Sequence, residues 1–130
     1  MIQQQGQETY LRMQVTTAAP WELTLLLYNG CIKFMKQALD GIQKSDFEAK
    51  NTNIKKAIRI IDELIATLDK KYEISKNLDA LYVFMKDKLF EANTKLNVEA
   101  LQVSIELMTD LRDTWVKAMK SLRSPAKVQS

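Results

Sequence analysis

Residues Pro20 to Phe34 read P-W-E-L-T-L-L-L-Y-N-G-C-I-K-F, a run with more apolar surface than one face of a helix in a small bundle hides. At 100° per residue, Leu23, Leu27, Cys31, Phe34 and Ala38 form one stripe, and Leu25, Tyr28, Ile32, Met35, Leu39 and Ile42 form a second beside it. Together they span roughly 220°, about twice the apolar face of an ordinary surface helix. The polar remainder, Glu22, Asn29, Lys33, Lys36 and Asp40, is a narrow solvated strip. A helix that is apolar on two sides either sits centrally in its bundle or lends one side to a partner.

Around this helix the chain supplies three more. Its 130 residues fit one domain, 46% apolar content excludes wholesale disorder, and three Gly with two Pro leave room for few turns. Pro20 suits a first helical position, and the first helix is expected to run to about Ile42. Ala19 lacks the oxygen of a good cap, worth about 1 kcal/mol, which makes Thr16 or Thr17 the alternative start. Ser45-x-x-Glu48 has the form of a capping box for a second helix, with Phe47, Ile54, Ile58, Ile61, Leu64, Ile65 and Leu68 inward and an end near Lys70. A third helix is expected from Ser75, with Leu78, Leu81, Tyr82, Met85, Leu89 and Ala92 inward. A fourth follows Asn97, with Leu101, Ile105, Met108, Trp115, Met119 and Leu122. Short linkers near Gln43 to Ser45, Lys71 to Ile74 and Lys95 to Asn97 make successive helices antiparallel neighbours. The expected fold is all-α, an antiparallel up-down four-helix bundle over 19–123, preceded by a mobile N-terminal arm over 1–18 and followed by a flexible tail over 124–130.

The residues argue against several function classes. The chain has no His, its carboxylates are dispersed among lysines, and no Gly-rich phosphate loop occurs, so no catalytic, metal-binding or cofactor-binding constellation is expected. A di-iron bundle site would need Glu-x-x-His pairs. Cys31 has no partner for an internal disulfide and sits on a core stripe, where a thiol is a small hydrophobe. The 19 basic and 16 acidic residues, net +3, alternate along the helices, which gives no basic face for nucleic acid. The stretch Leu23 to Ile32 is half the ~20 apolar residues that a membrane span requires, so no membrane insertion is expected. Met1 to Tyr10 lacks the basic start and apolar middle of a secretion signal, which leads to an expected cytoplasmic location.

What remains is binding. Val83 and Phe90 lie seven residues apart on the third helix, about 100° or more from its inward stripe. With the second stripe of the first helix they form an apolar surface beyond what a four-helix core needs. Gly30, inside a helix, marks a close approach by a second backbone, either within the bundle or from a partner. Tyr28 needs a hydroxyl partner in Asn29, a loop carbonyl or a bound peptide. Trp115 is read as a core anchor, and Arg112, one turn before it, either caps a loop or holds a carboxylate. In the arm, Tyr10, Leu11 and Val15, with Met13, are an isolated apolar cluster able to cover a groove that a client later occupies.

The order of motifs carries a resemblance. T-A-x-P-x-E-L-x-L-x-L-Y-N-G with an upstream Tyr is followed by Lys50-Asn51 and by Lys56-Ala57-x-x-Ile60-Ile61-x-Glu63-Leu64 through Thr67-Leu68-Asp69. Asn77-Leu78-x-x-Leu81-Tyr82, Ala92-Asn93 and Asp110-Leu111-Arg112-x-x-Trp115 come next. Over about Tyr10 to Leu122 this resembles the flagellar secretion chaperone FliS family, L-Y-N-G and D-L-R-x-x-W being the most specific parts. Ala19 departs from that family, where Ser or Thr is common. The resemblance implies a cytoplasmic chaperone for flagellin that prevents premature polymerisation and assists delivery to the flagellar export apparatus. It also implies contact with an export-gate component and an N-terminal segment that moves when flagellin binds. On this reading the client-binding candidates are Leu25, Tyr28, Ile32, Met35, Val83 and Phe90. The alternatives are a self-associating structural bundle, with the surplus face buried in a homodimer, and an adaptor for another secreted protein.

Overall fold

A computed structural model describes residues 19–122 of the chain. These form α1 (Pro20–Gln43), α2 (Phe47–Ala66), α3 (Glu73–Lys95) and α4 (Val98–Leu122). The short connections reverse the chain each time, and α1 and α3 each pack against both α2 and α4. The result is a ring of four antiparallel helices, the bundle that the periodicity predicts. The expected arm, with Tyr10, Leu11 and Val15, and the tail over 124–130 lie outside the described residues, as do Thr16 and Thr17.

Local chemistry sets each helix end. Ala19 is the N-cap of α1 and offers no side-chain hydrogen bond, leaving Pro20 at the first helical position to start the helix by its fixed φ. At the other end Ser45 adopts a left-handed φ of 57°, the Asp46 N–H reaches the Gly41 carbonyl at 2.7 Å and the Ser45 N–H reaches that of Ile42 at 3.1 Å. This is a Schellman closure, which satisfies two orphan carbonyls of α1. Ser45 is thus spent on ending α1, and the expected Ser45-x-x-Glu48 box does not form. Asp46 caps α2 instead, its carboxylate accepting from the Ala49 N–H at 3.1 Å. The third helix starts two residues before the expected Ser75, whose hydroxyl donates to the Asp69 carbonyl at 2.6 Å and pins the loop. α2 ends at Ala66 instead of near Lys70, since the Thr67 hydroxyl donates to the Leu64 carbonyl at 2.7 Å. Between α3 and α4, Leu96 takes a left-handed φ of 52° and the Asn97 side chain accepts from the Ala100 N–H at 3.1 Å, opening α4 where predicted.

The core is a single cluster that includes Cys31, Met35, Ile54, Ile61, Met85 and Met108, each with no exposed surface. One charged residue joins it: Lys50 is buried, and its Nζ donates to the Asn93 carbonyl at 2.9 Å. That carbonyl is among the last four of α3, which have no partner within the helix and carry the negative end of its dipole. Asn93 in turn donates through Nδ2 to Asn51 Oδ1 at 3.0 Å. The Lys50, Asn51 and Asn93 that marked the family resemblance are therefore a polar tie between α2 and the end of α3.

Phe47, expected inward on α2, is instead exposed at the first turn, with the Lys50 ammonium 5.9 Å from its ring centre. A close backbone approach, read for Gly30 from the sequence, is found at Gly41. A Cβ built there would lie 2.9 Å from both the Asp46 carbonyl oxygen and the Lys50 backbone nitrogen. Backbone atoms held by the Schellman turn cannot move aside as a flexible side chain does. Gly41→Ala is expected to lower stability by about 1 to 3 kcal/mol despite alanine's better helix propensity. Urea unfolding followed by circular dichroism measures it.

Candidate functional site

The two apolar stripes of α1 are both consumed by the bundle. On the α2 side the Cys31 thiol lies 3.7 Å from the Ala57 carbonyl, to which it donates. On the α4 side the Trp115 ring stands edge-on to Tyr28, with 6.5 Å between centroids and planes at 89°. The wide face thus serves two neighbours at once, which is the central placement that the sequence allowed for. Of the client-binding candidates on this helix, Tyr28, Ile32 and Met35 are buried and Leu25 is half-buried. Because α1 lies between α2 and α4, its second stripe is largely core: Tyr28, Ile32 and Met35 are buried, while Leu25 stays half-buried outside the core cluster.

Tyr28 finds its hydroxyl partner across the bundle in Tyr82 of α3, oxygen to oxygen at 2.8 Å, and not in Asn29 or a loop carbonyl. Burial raises the Tyr82 hydroxyl well above the ordinary range, and its bond with Tyr28 adds to the effect. Burial also raises Tyr28, partly offset by the same bond. Neither is a proton donor for chemistry near neutral pH. The Cys31 thiol is pushed up to about 12 by burial, so no thiolate nucleophile forms. Trp115 is a half-buried anchor whose indole N–H donates to the Trp21 carbonyl at 3.0 Å. Arg112 holds a carboxylate, donating to Asp113 at 3.1 Å, and its other contact is with a helix and not a loop, a bond to Asn29 Oδ1 of α1 at 3.2 Å. Tyr28, Asn29, Arg112 and Trp115, from the two most specific motifs, thereby bind α1 to α4.

Among the described residues no group of three or more Cys, Asp or Glu side chains is placed to hold a metal ion. None of the described helices is long and apolar enough to cross a membrane. A shallow hollow of about 450 Å³ along α1 is open to solvent and lined by Asn29, Ile32, Lys33, Lys36, Gln37 and Asp40. The surface it presents is mainly apolar, from Ile32 and the alkyl stems of the long polar side chains, with the polar groups at its edge.

Exposed large apolar side chains among the described residues include Phe47, Tyr72, Ile74, Leu96, Val103 and Leu122, and three more lie close together in sequence on α3. Val83 is 44% exposed and Phe90 51%, as the angular argument expects, and Phe84, which the pattern passed over, is 43% exposed. The signal for Phe84 was present. At 100° per residue it lies about 120° from the centre of the inward stripe, against about 140° for Val83, which is far enough to face solvent. Charged pairs border this patch: Lys86 meets Asp62 of α2 at 2.6 Å, while Lys88 meets Glu91 at 3.5 Å and stands 5.5 Å above the Phe84 ring. An apolar patch with a polar rim is the form of a protein-docking surface.

The family model "Flagellar protein FliS" matches residues 1–122. The chain belongs to the FliS family. It is 43% identical over 114 residues to the flagellar secretion chaperone FliS of Bacillus subtilis strain 168, covering 88% of this chain and 86% of that one. To FliS of Escherichia coli K12 it is 32% identical over 118 residues, covering 88% and 85%. A crystal structure of a flagellar chaperone from bacteria has the same fold, with a TM-score of 0.73 at 18% identity over 92% of this chain and 98% of that one. FliS is a chaperone family and not a family of enzymes, in keeping with a surface that offers docking and no reactive group.

The hydroxyl pair at the centre of this FliS bundle generates two expectations. Tyr28→Phe or Tyr82→Phe alone strands a buried hydroxyl and should cost about 1 to 3 kcal/mol, whereas the double replacement should be nearly neutral. A double-mutant cycle by urea denaturation reads the difference. The second concerns alkali. Cys31 has a folded pKa of about 12 against an ordinary 9.0, and both tyrosines are raised from 10.0. Each neutral form is favoured by folding, so its contribution is complete below pH ~9 and is lost as pH rises through the folded values. Stability should be level up to pH ~9 and then fall by about 1.4 kcal/mol per pH unit for each group engaged. Cys31→Ala should delay that fall towards pH ~10, as chemical denaturation at a series of pH values would show.

Proposed function

We propose that this FliS-family chain is a cytoplasmic export chaperone whose client is flagellin, and that it holds a terminal segment of the monomer before delivery to the flagellar type III export apparatus. The observation that carries the reading is the exposed patch of Val83, Phe84 and Phe90 on a helix whose inward face already completes the core. The relatives' names as flagellar secretion chaperones supply the context. A client segment that is disordered when free gives up ~2 to 5 kcal/mol on ordering. Two or three apolar side chains, each contributing ~1.5 to 3 kcal/mol when buried, offset that cost and leave a usable affinity.

Leu25, half-buried near the start of α1, is the α1 candidate within reach of a client, while Tyr28, Ile32 and Met35 support the scaffold beneath. The arm over 1–18 joins α1 at Ala19, next to Trp21 and Leu23. Tyr10, Leu11 and Val15 are proposed to cover apolar surface there until a client arrives. Contact with an export-gate component follows from delivery and is part of the same proposal.

Size-exclusion chromatography of the chain mixed with monomeric flagellin of the same organism tests it. A complex of fixed stoichiometry is expected, and separate elution at micromolar concentration would overturn the reading. Replacing Val83 and Phe90 together with Ser should weaken flagellin binding by at least tenfold, or about 1.4 kcal/mol, with little change in melting temperature. A large loss of melting temperature would instead make the pair structural.

A further inference from the structure

α1 and α3 run parallel across the diagonal of the ring, and their inward residues share one spacing. Tyr28, Cys31, Met35 and Ala38 on α1 and Tyr82, Met85, Leu89 and Ala92 on α3 both step by 3, 4 and 3 residues. The two sets are offset by the same 54 residues that separate the bonded tyrosines. All belong to the core, each at most 3% exposed. The hydroxyl bond is thus one level of a diagonal whose other levels are Cys with Met, Met with Leu and Ala with Ala.

Those other levels say little about how α3 is turned. Besides Tyr82, the buried apolar side chains of α3 are Met85, Leu89 and Ala92, none of them β-branched. Methionine has three rotatable bonds and fills whatever gap it meets, and alanine interlocks with nothing. α2, by contrast, buries Ile54, Ile60 and Ile61, which a helix holds to one χ1 rotamer and which therefore fit a neighbour in one way. The remaining polar contacts of α3 leave its rotation loose as well. Lys86 reaches Asp62 and Lys50 reaches the Asn93 carbonyl through flexible stems, and Asn93 meets Asn51 only in the last turn. Between Tyr28 and Tyr82 the constraint is tighter, because either hydroxyl turned away from the other would be buried without a partner.

We infer that the bond between Tyr28 and Tyr82 is a conformational lock: it selects one rotation and register of α3 among those that the adaptable apolar core accepts, and it adds little net stability. A single buried polar position has this use in coiled coils, where it fixes register without strengthening the assembly. Sliding α3 by one step of its repeat would set Tyr28 level with Leu78 or Met85 and strand both hydroxyls. Phenylalanine at both positions removes that penalty from every alternative at once. The native arrangement then keeps its contacts but loses its advantage over its competitors.

Native-state hydrogen exchange and backbone amide NMR spectra of the full chain, beside urea unfolding, test this on the double variant Tyr28→Phe/Tyr82→Phe. The expected result is an unfolding midpoint equal to that of the native chain, with α3 amides exchanging roughly tenfold faster or more at low urea and their resonances broadened, while α2 amides keep native protection. A stiffer core should supply the missing lock. Met35→Leu and Met85→Leu added to the double variant are expected to return α3 exchange and line widths towards native values. Sharp α3 resonances with native exchange in the double variant would overturn the inference, since the apolar core would then suffice. A large fall in its midpoint, or failure to fold, would overturn it by making the bond a source of stability. Broadening left unchanged by the two leucines would overturn it as well, because the softness of the core would not be what the bond corrects.

Discussion

The rest of the structure depends on α1 being apolar over more than half its circumference, which only a position touching two helices at once can satisfy. A helix at the corner of a four-membered ring meets two neighbours separated by roughly a right angle, and each takes one stripe. The Tyr28 to Tyr82 bond reaches across the ring and satisfies two hydroxyls that would otherwise be buried without partners. Such a pair tolerates little displacement, so it fixes the rotation of α3 about its own axis as well as its distance from α1. With that rotation set, the face bearing Val83, Asp87 and Phe90 has to look outward.

The periodicity made the helices and most of their inward residues legible because burial at a spacing of three and four is a strong, redundant signal; it failed at Phe47 and Leu122, expected inward but exposed at the ends of α2 and α4. The starts of α1 and α4 were legible for a different reason, since Pro20 and Asn97 act through their own side chains. Failures cluster where tertiary contacts decide. Ser45 has the chemistry of an N-cap but is taken by the Schellman turn that ends α1, a role invisible without knowing that α2 begins one residue later. The consequence of a broad apolar face on α1 was ambiguous from the start, because a central helix and a helix with a free binding side have the same sequence pattern. The structure resolves it through neighbours: Trp115 lies on one side and Ala57 on the other.

Val83 and Phe90 were legible for the opposite reason. Each is large, apolar and out of phase with an otherwise regular inward stripe. Phe84 was missed by considering a line when the surface is a patch.

A protein that must hold a partner and then release it benefits from separating the surface that binds from the contacts that fold. Here the separation is angular, within one helix: the side of α3 bearing Met85 and Leu89 holds the bundle, and the side bearing Val83 and Phe90 contributes almost nothing to it. The polar tie from Lys50 to the Asn93 carbonyl secures the end of α3 from within. Its outer turns are therefore free of structural duty down their length. An extended face of this kind can take a long helix through several modest contacts, none of which is indispensable. Stepwise release then becomes feasible, because detaching one turn of the client exposes little apolar surface at a time.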